Sequence, residues 1–162
     1  SDEAPVADLV RLAEHDNVVA VKFATGNLMR LGEVIRATRH CDTIWVCGLA
    51  EGWAPPFYAM GARGFTSGLV NIFPEISLSI HAALEAGDYT KARAEIDEIA
   101  EFEKLRTLSN NGANVTVVKE ALRLAGVAVG EARLPGVPHL PDEAHRSLRE
   151  IVERLMPRLA AQ

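Results

Sequence analysis

Lys22 closes a short apolar run, Asn17-Val18-Val19-Ala20-Val21-Lys22, and Thr25-Gly26-Asn27 follows at once as a turn that opens an amphipathic segment. A primary amine at the end of a covered strand can add to a carbonyl and form an imine, provided that it is neutral. Free lysine titrates near ~10.4 and is almost wholly protonated at neutral pH, so this chemistry needs an apolar surround that disfavours the ammonium. The same residue also reads as an ordinary strand-end lysine, its stem on apolar surface and its ammonium in water beside a carboxylate. Position alone leaves both readings open.

Other chemistry-bearing residues fall at the ends of later apolar runs. Gly48 ends the run Thr43-Ile44-Trp45-Val46-Cys47, where the missing side chain leaves room for a substrate or only makes a turn. Thr66 and Ser67 end a third, shorter run, Gly64-Phe65-Thr66-Ser67-Gly68, and offer hydroxyls there. Glu51 could contact a polar substrate tail or complement the dipole of a short helix, and Asn71 could fix a loop but more simply caps the next helix. Cys41 and Cys47 stand at either end of an extended run, about 20 Å apart at about 3.3 Å per residue, which is too far for a disulfide. They read as reduced thiols. His40 beside Cys41 lacks a further ligand pair at metal-site spacing, so no metal is expected. Trp45 and Trp53 read as packing residues, and Lys91, Arg93, Glu95, Asp97, Glu98 and Glu101 as a solvated helix face.

The elements that must position these groups follow from periodicity. Asp2 and Pro5 sit at a helix start, and Val6, Leu9, Val10 and Ala13 recur at helical spacing until His15-Asp16-Asn17 interrupts them. The run from Val18 to Lys22 has no polar alternation, as in a strand covered on both faces. Leu28, Leu31, Val34, Ile35 and Thr38 mark a helix capped by Thr25 or Asn27, and the run 53–60 a short helix stopped by Gly61. Strand and helix alternating at intervals of roughly 20 to 25 residues argue for right-handed βαβ crossovers and a parallel sheet. Beyond Pro74 the pattern is helical only. Ile76, Ile80, Ala83 and Leu84 mark one helix ending at Gly87, and Ala92, Ile96, Ile99, Phe102 and Leu105 another ending near Asn110-Asn111-Gly112. A third carries Val115, Val118, Ala121, Leu122 and Ala125 and stops at Gly126. An extended connection over 127–141 leads to a last helix with Leu148, Ile151, Val152 and Leu155, limited by Pro157. The chain is α/β, and three strands among so many helices suggest part of a larger fold.

Composition narrows the function classes. The 162 residues are 48% hydrophobic and 24% charged, an ordinary globular balance, and the net charge of -5 supplies no basic stripe for nucleic acid. No apolar run approaches the ~20 residues of a membrane span, and the first residues lack the basic and apolar regions of a signal peptide. These features lead to the expectation of a cytoplasmic protein that binds neither membrane nor nucleic acid.

Val21-Lys22-Phe23-Ala24-Thr25-Gly26 resembles the Schiff-base lysine motif of the dihydrodipicolinate synthase and N-acetylneuraminate lyase family, in which the lysine lies on the sixth strand of a (β/α)8 barrel. Gly48 with Pro55 and Gly61 is similar to the family's seventh-strand region, and Gly61-Ala62-Arg63-Gly64-Phe65-Thr66-Ser67 with Asn71 and Pro74 to its eighth-strand signature. Val117-Val118-Lys119-Glu120-Ala121-Leu122, leading into Gly126-Val127, looks like its C-terminal helical extension. The resemblance spans nearly the whole chain. It implies the C-terminal part of a TIM barrel, strands six to eight, over residues 1–75, with the last barrel helix and the helical extension over 76–162.

The implied activity is a lyase forming a Schiff base between Lys22 and a 2-oxo acid, either pyruvate-type or a keto-deoxy sugar acid, for aldol cleavage, condensation or dehydration. Gly48, Glu51, Thr66 and Ser67 would bind substrate, with the Thr66 carbonyl facing the keto acid. No metal or diffusible cofactor is required, because the imine is the electron sink. By the same resemblance the protein is a homo-oligomer, a dimer or tetramer, and depends on strands one to five for its carboxylate-binding loop and proton-relay tyrosine, so this fragment should be inactive alone. A TIM barrel typically needs about 250 residues. Two departures stand beside the site: Phe23 where the family often has an acidic residue, and Leu49-Ala50 in place of a common acidic pair, with Glu51 next. The alternative from another class is a non-catalytic α/β binding or assembly module that keeps the fold.

Overall fold

In a computed structural model, residues 4–158 are described. The fold divides into two units, one of Ser1–Thr66 with His81–Tyr89, the other of Ser67–Ile80 with Thr90–Gln162.

In the first unit, α1 (Val6–Ala13) starts behind Pro5, whose fixed φ suits a helix entry and whose carbonyl accepts the first backbone bonds from Asp8 and Leu9. Asp2 lies outside the described residues. The apolar run then enters β1 (Ala20–Phe23) two residues later than its composition suggests and extends one residue past Lys22. Val18 is occupied in the preceding turn: its N–H bonds the His15 carbonyl, and the Thr43 hydroxyl reaches the carbonyls of Ala13 and Val18, each at 2.9 Å. The helix α2 (Leu28–Ala37) is capped by Asn27, whose Oδ1 accepts from the Arg30 N–H at 3.1 Å, while Thr25 accepts from the Asn27 N–H. The next strand, β2 (Ile44–Cys47), is followed by a 3-10 turn, Glu51–Trp53, and α3 (Ala54–Ala59), with Pro55 in its first turn.

β1 and β2 pair in parallel with Lys22 opposite Val46 and Phe23 opposite Cys47, as a crossover through α2 requires. The third run is not a strand of its own. It adds one parallel bridge, Cys47 to Phe65, held by Cys47 N–H to the Gly64 carbonyl at 2.8 Å and Thr66 N–H to the Cys47 carbonyl at 2.9 Å. Glycines at 64 and 68 bracket the run, and pairing ends after Thr66 because the chain turns at once into the 3-10 turn Leu69–Asn71. One face of the sheet is packed. Phe23, Trp45 and Cys47 pack with Ala13, Leu31, Val34 and Phe57, and the Phe23 ring meets Trp45 edge-on at 6.2 Å. The buried Trp45 N–H donates to the Thr38 hydroxyl, which donates to the Val34 carbonyl, so this core carries no orphaned indole.

The helix α4 (Pro74–Glu85) gives its first part to the second unit and its last part to the first. The second unit otherwise holds α5 (Tyr89–Arg106) from Thr90 onward, α6 (Asn114–Leu124) and α7 (Asp142–Leu155), with α6 packed on α7. The helix α5 ends short of Asn110 because Ser109, Asn110 and Asn111 all take left-handed φ. Glu95 corrects the expectation of a fully solvated α5 face: it is 9% exposed, and the Ser79 hydroxyl donates to it. Residues 127–141 form no regular element and are strapped to α6 by side chains, Lys119 Nζ donating to the Glu131 carbonyl and Arg123 Nε to that of Val129. Pro157 lies in the 3-10 turn Met156–Arg158 that follows α7.

Candidate active site

Side chains alternate across a strand, so the residues between the core positions of β1 and β2 stand together on the opposite face. These are Ala20 and Lys22 on β1 and, in register with them, Ile44 and Val46 on β2. The face continues past both strands. A Cβ at Gly48 would stand 2.7 Å from the Ala24 Cβ and 2.9 Å from the Lys22 Cε, and one at Gly64 would stand 3.6 Å from Val46 Cγ2. The space that Gly48 leaves is therefore taken by the stem of Lys22 itself. Thr66, two residues beyond Gly64, shares the face by the same period, and its hydroxyl lies 3.5 Å from the Cys47 carbonyl.

Ala20, Lys22, Ile44 and Thr66 are exposed. The desolvation that an imine-forming amine needs is not supplied by the described residues and depends on what covers this face. Glu51 differs: it is fully buried. Ala50, with φ 67° and ψ -170°, occupies a region nearly restricted to glycine, and this bend sends Glu51 inward and the 43%-exposed Trp53 outward. The Trp53 ring lies over Gly26, where a Cβ would come 3.0 Å from its Cη2.

Ser67 and Asn71 serve the loop that they stand in. The Ser67 hydroxyl accepts from the Val70 N–H at 2.9 Å and lies 3.2 Å from that of Ser77. Asn71 does not cap α4; its side chain donates to the Gly68 carbonyl at 3.0 Å and closes the 3-10 turn.

Cys41 and Cys47 are free thiols. Burial pushes the Cys47 thiol up to about 11, with the Glu51 carboxylate adding to the rise, while a hydrogen bond from the Leu49 backbone and the charge of Lys22 oppose it. Burial likewise raises Tyr58 to about 12, helped by Glu85 and opposed by Arg63; its hydroxyl lies 2.7 Å from His81 Nδ1. Both folded values exceed the unfolded ones, so the folded state holds protons that the unfolded chain releases, and stability falls as pH rises from about 9 towards 12. Urea midpoints measured across that range should fall steadily, and Cys47→Ala should flatten the lower part of the decline. Among the described residues, no group of three or more His, Cys, Asp or Glu is placed to hold a metal; His40 pairs instead with Glu14 at 3.2 Å. A cleft of about 640 Å³ lined by Val19, His40, Thr43 and Ile44 lies at the other ends of the strands, away from Lys22.

Parallel strands joined by helical crossovers, with a lysine on the open face and loops gathered beyond the strand C-termini, define a segment of a (β/α)8 barrel. The chain belongs to the dihydrodipicolinate synthetase family, whose model matches residues 3–155. Its fold is the C-terminal part of that barrel with the helical extension. The dihydrodipicolinate synthase of Bacillus clausii superposes with a TM-score of 0.88 at 36% identity, over 96% of this chain and 53% of that one. That of Oceanobacillus iheyensis gives 0.81 at 37%, over 98% and 51%. In sequence, the 4-hydroxy-tetrahydrodipicolinate synthase of Methanosarcina mazei is 36% identical over 84% of this chain and 45% of its own length, and that of Corynebacterium aurimucosum 36% identical over 90% and 46%. The chain spans about half the length of the curated relatives it matches. No helix among the described residues is long and apolar enough to cross a membrane.

Sequence reasoning missed Val46 as part of this site, because its place needs the register. It set Ala50 beside the site, but nothing in the composition marks that residue as strained.

Proposed function

We propose that this chain supplies the imine-forming part of a lyase acting on 2-oxo acids, with Lys22 as the nucleophile. The observation that carries the reading is the placement of Lys22 on the open face of the strand pair, its stem in the space left by Gly48. Neutral Nζ adds to the C2 carbonyl, the carbinolamine loses water, and the resulting iminium withdraws electrons from C3. Loss of a C3 proton then gives an enamine, which adds to an aldehyde. In the cleavage direction the C4 hydroxyl gives up its proton and becomes the aldehyde carbonyl as the C3–C4 bond breaks with its electrons passing to the iminium, and in a dehydratase the C4 hydroxyl takes up a proton and leaves the enamine as water. By the family resemblance, the Thr66 carbonyl faces the keto acid.

The lean within this class is towards a sugar-acid lyase or dehydratase, because the stretch Leu49-Ala50-Glu51 departs from the synthase-like pattern that the resemblance implies. The activity requires the other barrel strands, both to desolvate Lys22 and to exchange protons with its imine, and residues 75–125 are suited to contribute to a homo-oligomeric surface. The test uses protein that carries this chain within a complete barrel. Incubation with pyruvate, reduction with borohydride and peptide mapping by mass spectrometry should place a reduced pyruvyl group on Lys22. Folded protein that remains unlabelled at Lys22 overturns the reading and leaves the non-catalytic module.

A further inference from the structure

Trp53 is 43% exposed although it stands in a tightly held loop. Behind it, Ala50 carries a strained bend and Glu51 is fully buried; ahead of it, Pro55 and Pro56 lie in the first turn of α3 and restrict the backbone. Its benzo edge rests on Gly26, in a turn fixed by the Asn27 cap of α2. The ring is thus positioned from both strand ends while nearly half of its surface stays open. An aromatic held in this way loses little freedom when a ligand covers it.

The location adds the second part of the argument. Gly26 and Trp53 both lie beyond the C-terminal ends of the strands, the end at which Lys22 and Gly48 meet. Gly26 stands four residues past Lys22, at most about 14 Å along an extended chain and closer through the turn at residues 25–27. An acid longer than pyruvate extends further from Lys22 towards this end of the strands than pyruvate does, and Trp53 is the exposed ring at that end. The indole offers a flat apolar face and one N–H donor, which suits a carbon chain with C–H groups on one side and hydroxyls at its edge.

We infer that Trp53 is the specificity-determining contact for the distal, hydroxylated end of a 2-oxo acid longer than pyruvate. This rests on Lys22 as the imine-forming amine. The test compares pyruvate with a 3-deoxy-2-oxo sugar acid in borohydride trapping at Lys22, in native protein and in Trp53→Ala and Trp53→Phe, each in the complete barrel. Trp53→Ala should leave pyruvate trapping unchanged and lower trapping of subsaturating sugar acid about tenfold, with Trp53→Phe in between. Iodide quenching gives a second readout as the difference between native protein and Trp53→Phe, since within this chain Trp45 is 3% exposed and Trp53 43%. The sugar acid should shield Trp53 and pyruvate should not. Sugar-acid trapping that stays at the native level in Trp53→Ala overturns the inference, as does quenching that the sugar acid leaves unchanged should that variant fail to fold. Loss of pyruvate trapping in native protein instead overturns the role of Lys22.

Discussion

Lys22→Arg abolishes borohydride trapping of pyruvate in the complete barrel, by about 10³-fold or more, while the thermal melt stays where it was. Arginine keeps the positive charge and a long stem, but its guanidinium is not deprotonated in proteins and cannot add to a carbonyl as a neutral amine. Residue 22 lies on the face of β1 opposite Phe23 and its packed neighbours, so the exchange removes no contact of that core. Trapping that survives in Lys22→Arg would assign the imine to another amine and remove the basis of the proposed function.

Gly48→Ala should lower the rate of imine formation about 100-fold, the order of loss that follows from displacing a reacting group by about 1 Å. The added methyl meets two neighbours, the Ala24 Cβ at 2.7 Å and the Lys22 Cε at 2.9 Å, with the Ala24 Cα at 3.0 Å. The first contact concerns stability, and overpacking of this kind costs about 1–3 kcal/mol. The second concerns chemistry, because Lys22 must swing away from its place on the face. A double variant, Gly48→Ala with Ala24→Gly, separates the two: the melt should recover in large part while trapping stays low. Full recovery of trapping would show that Gly48 serves only backbone packing.

Much of this fold is written in periodicity. The helices α1, α2, α4, α6 and α7 lie where apolar residues recur at helical spacing, and each stops near the residue that physically ends it, such as Gly87 and Gly126 with positive φ. Lys22 stands out in the sequence as a candidate because an amine closes an apolar run before a turn. What stayed hidden depends on contacts between distant residues. That Lys22 Cε fills the space at Gly48 requires the register of β1 on β2, which neither run states alone. Ser67 is expected by resemblance to bind substrate, and only the folded chain shows that the Val70 N–H donates to its hydroxyl and that the Ser77 hydroxyl lies beside it. Gly64 to Gly68 resembled a full strand in composition, but pairing needs partners on both sides of the bridge, and Ser67 is already committed to the next turn. Glu95 reads as one more charge on a polar helix until Ser79 is seen to bond it.

The bend at Ala50 also bears on how the molecule comes apart. A non-glycine residue held at φ 67° and ψ -170° stores about 1–3 kcal/mol, and only the packing around it prevents relaxation. On warming, the 3-10 turn Glu51–Trp53 should therefore open before β1 and β2 separate, giving a sub-global step in amide exchange. Such an opening would free the indole from Gly26 and bring the buried carboxylate of Glu51 into water while the strand pair still holds Lys22 in register. Catalytic competence would then have a lower melting point than the fold that carries it.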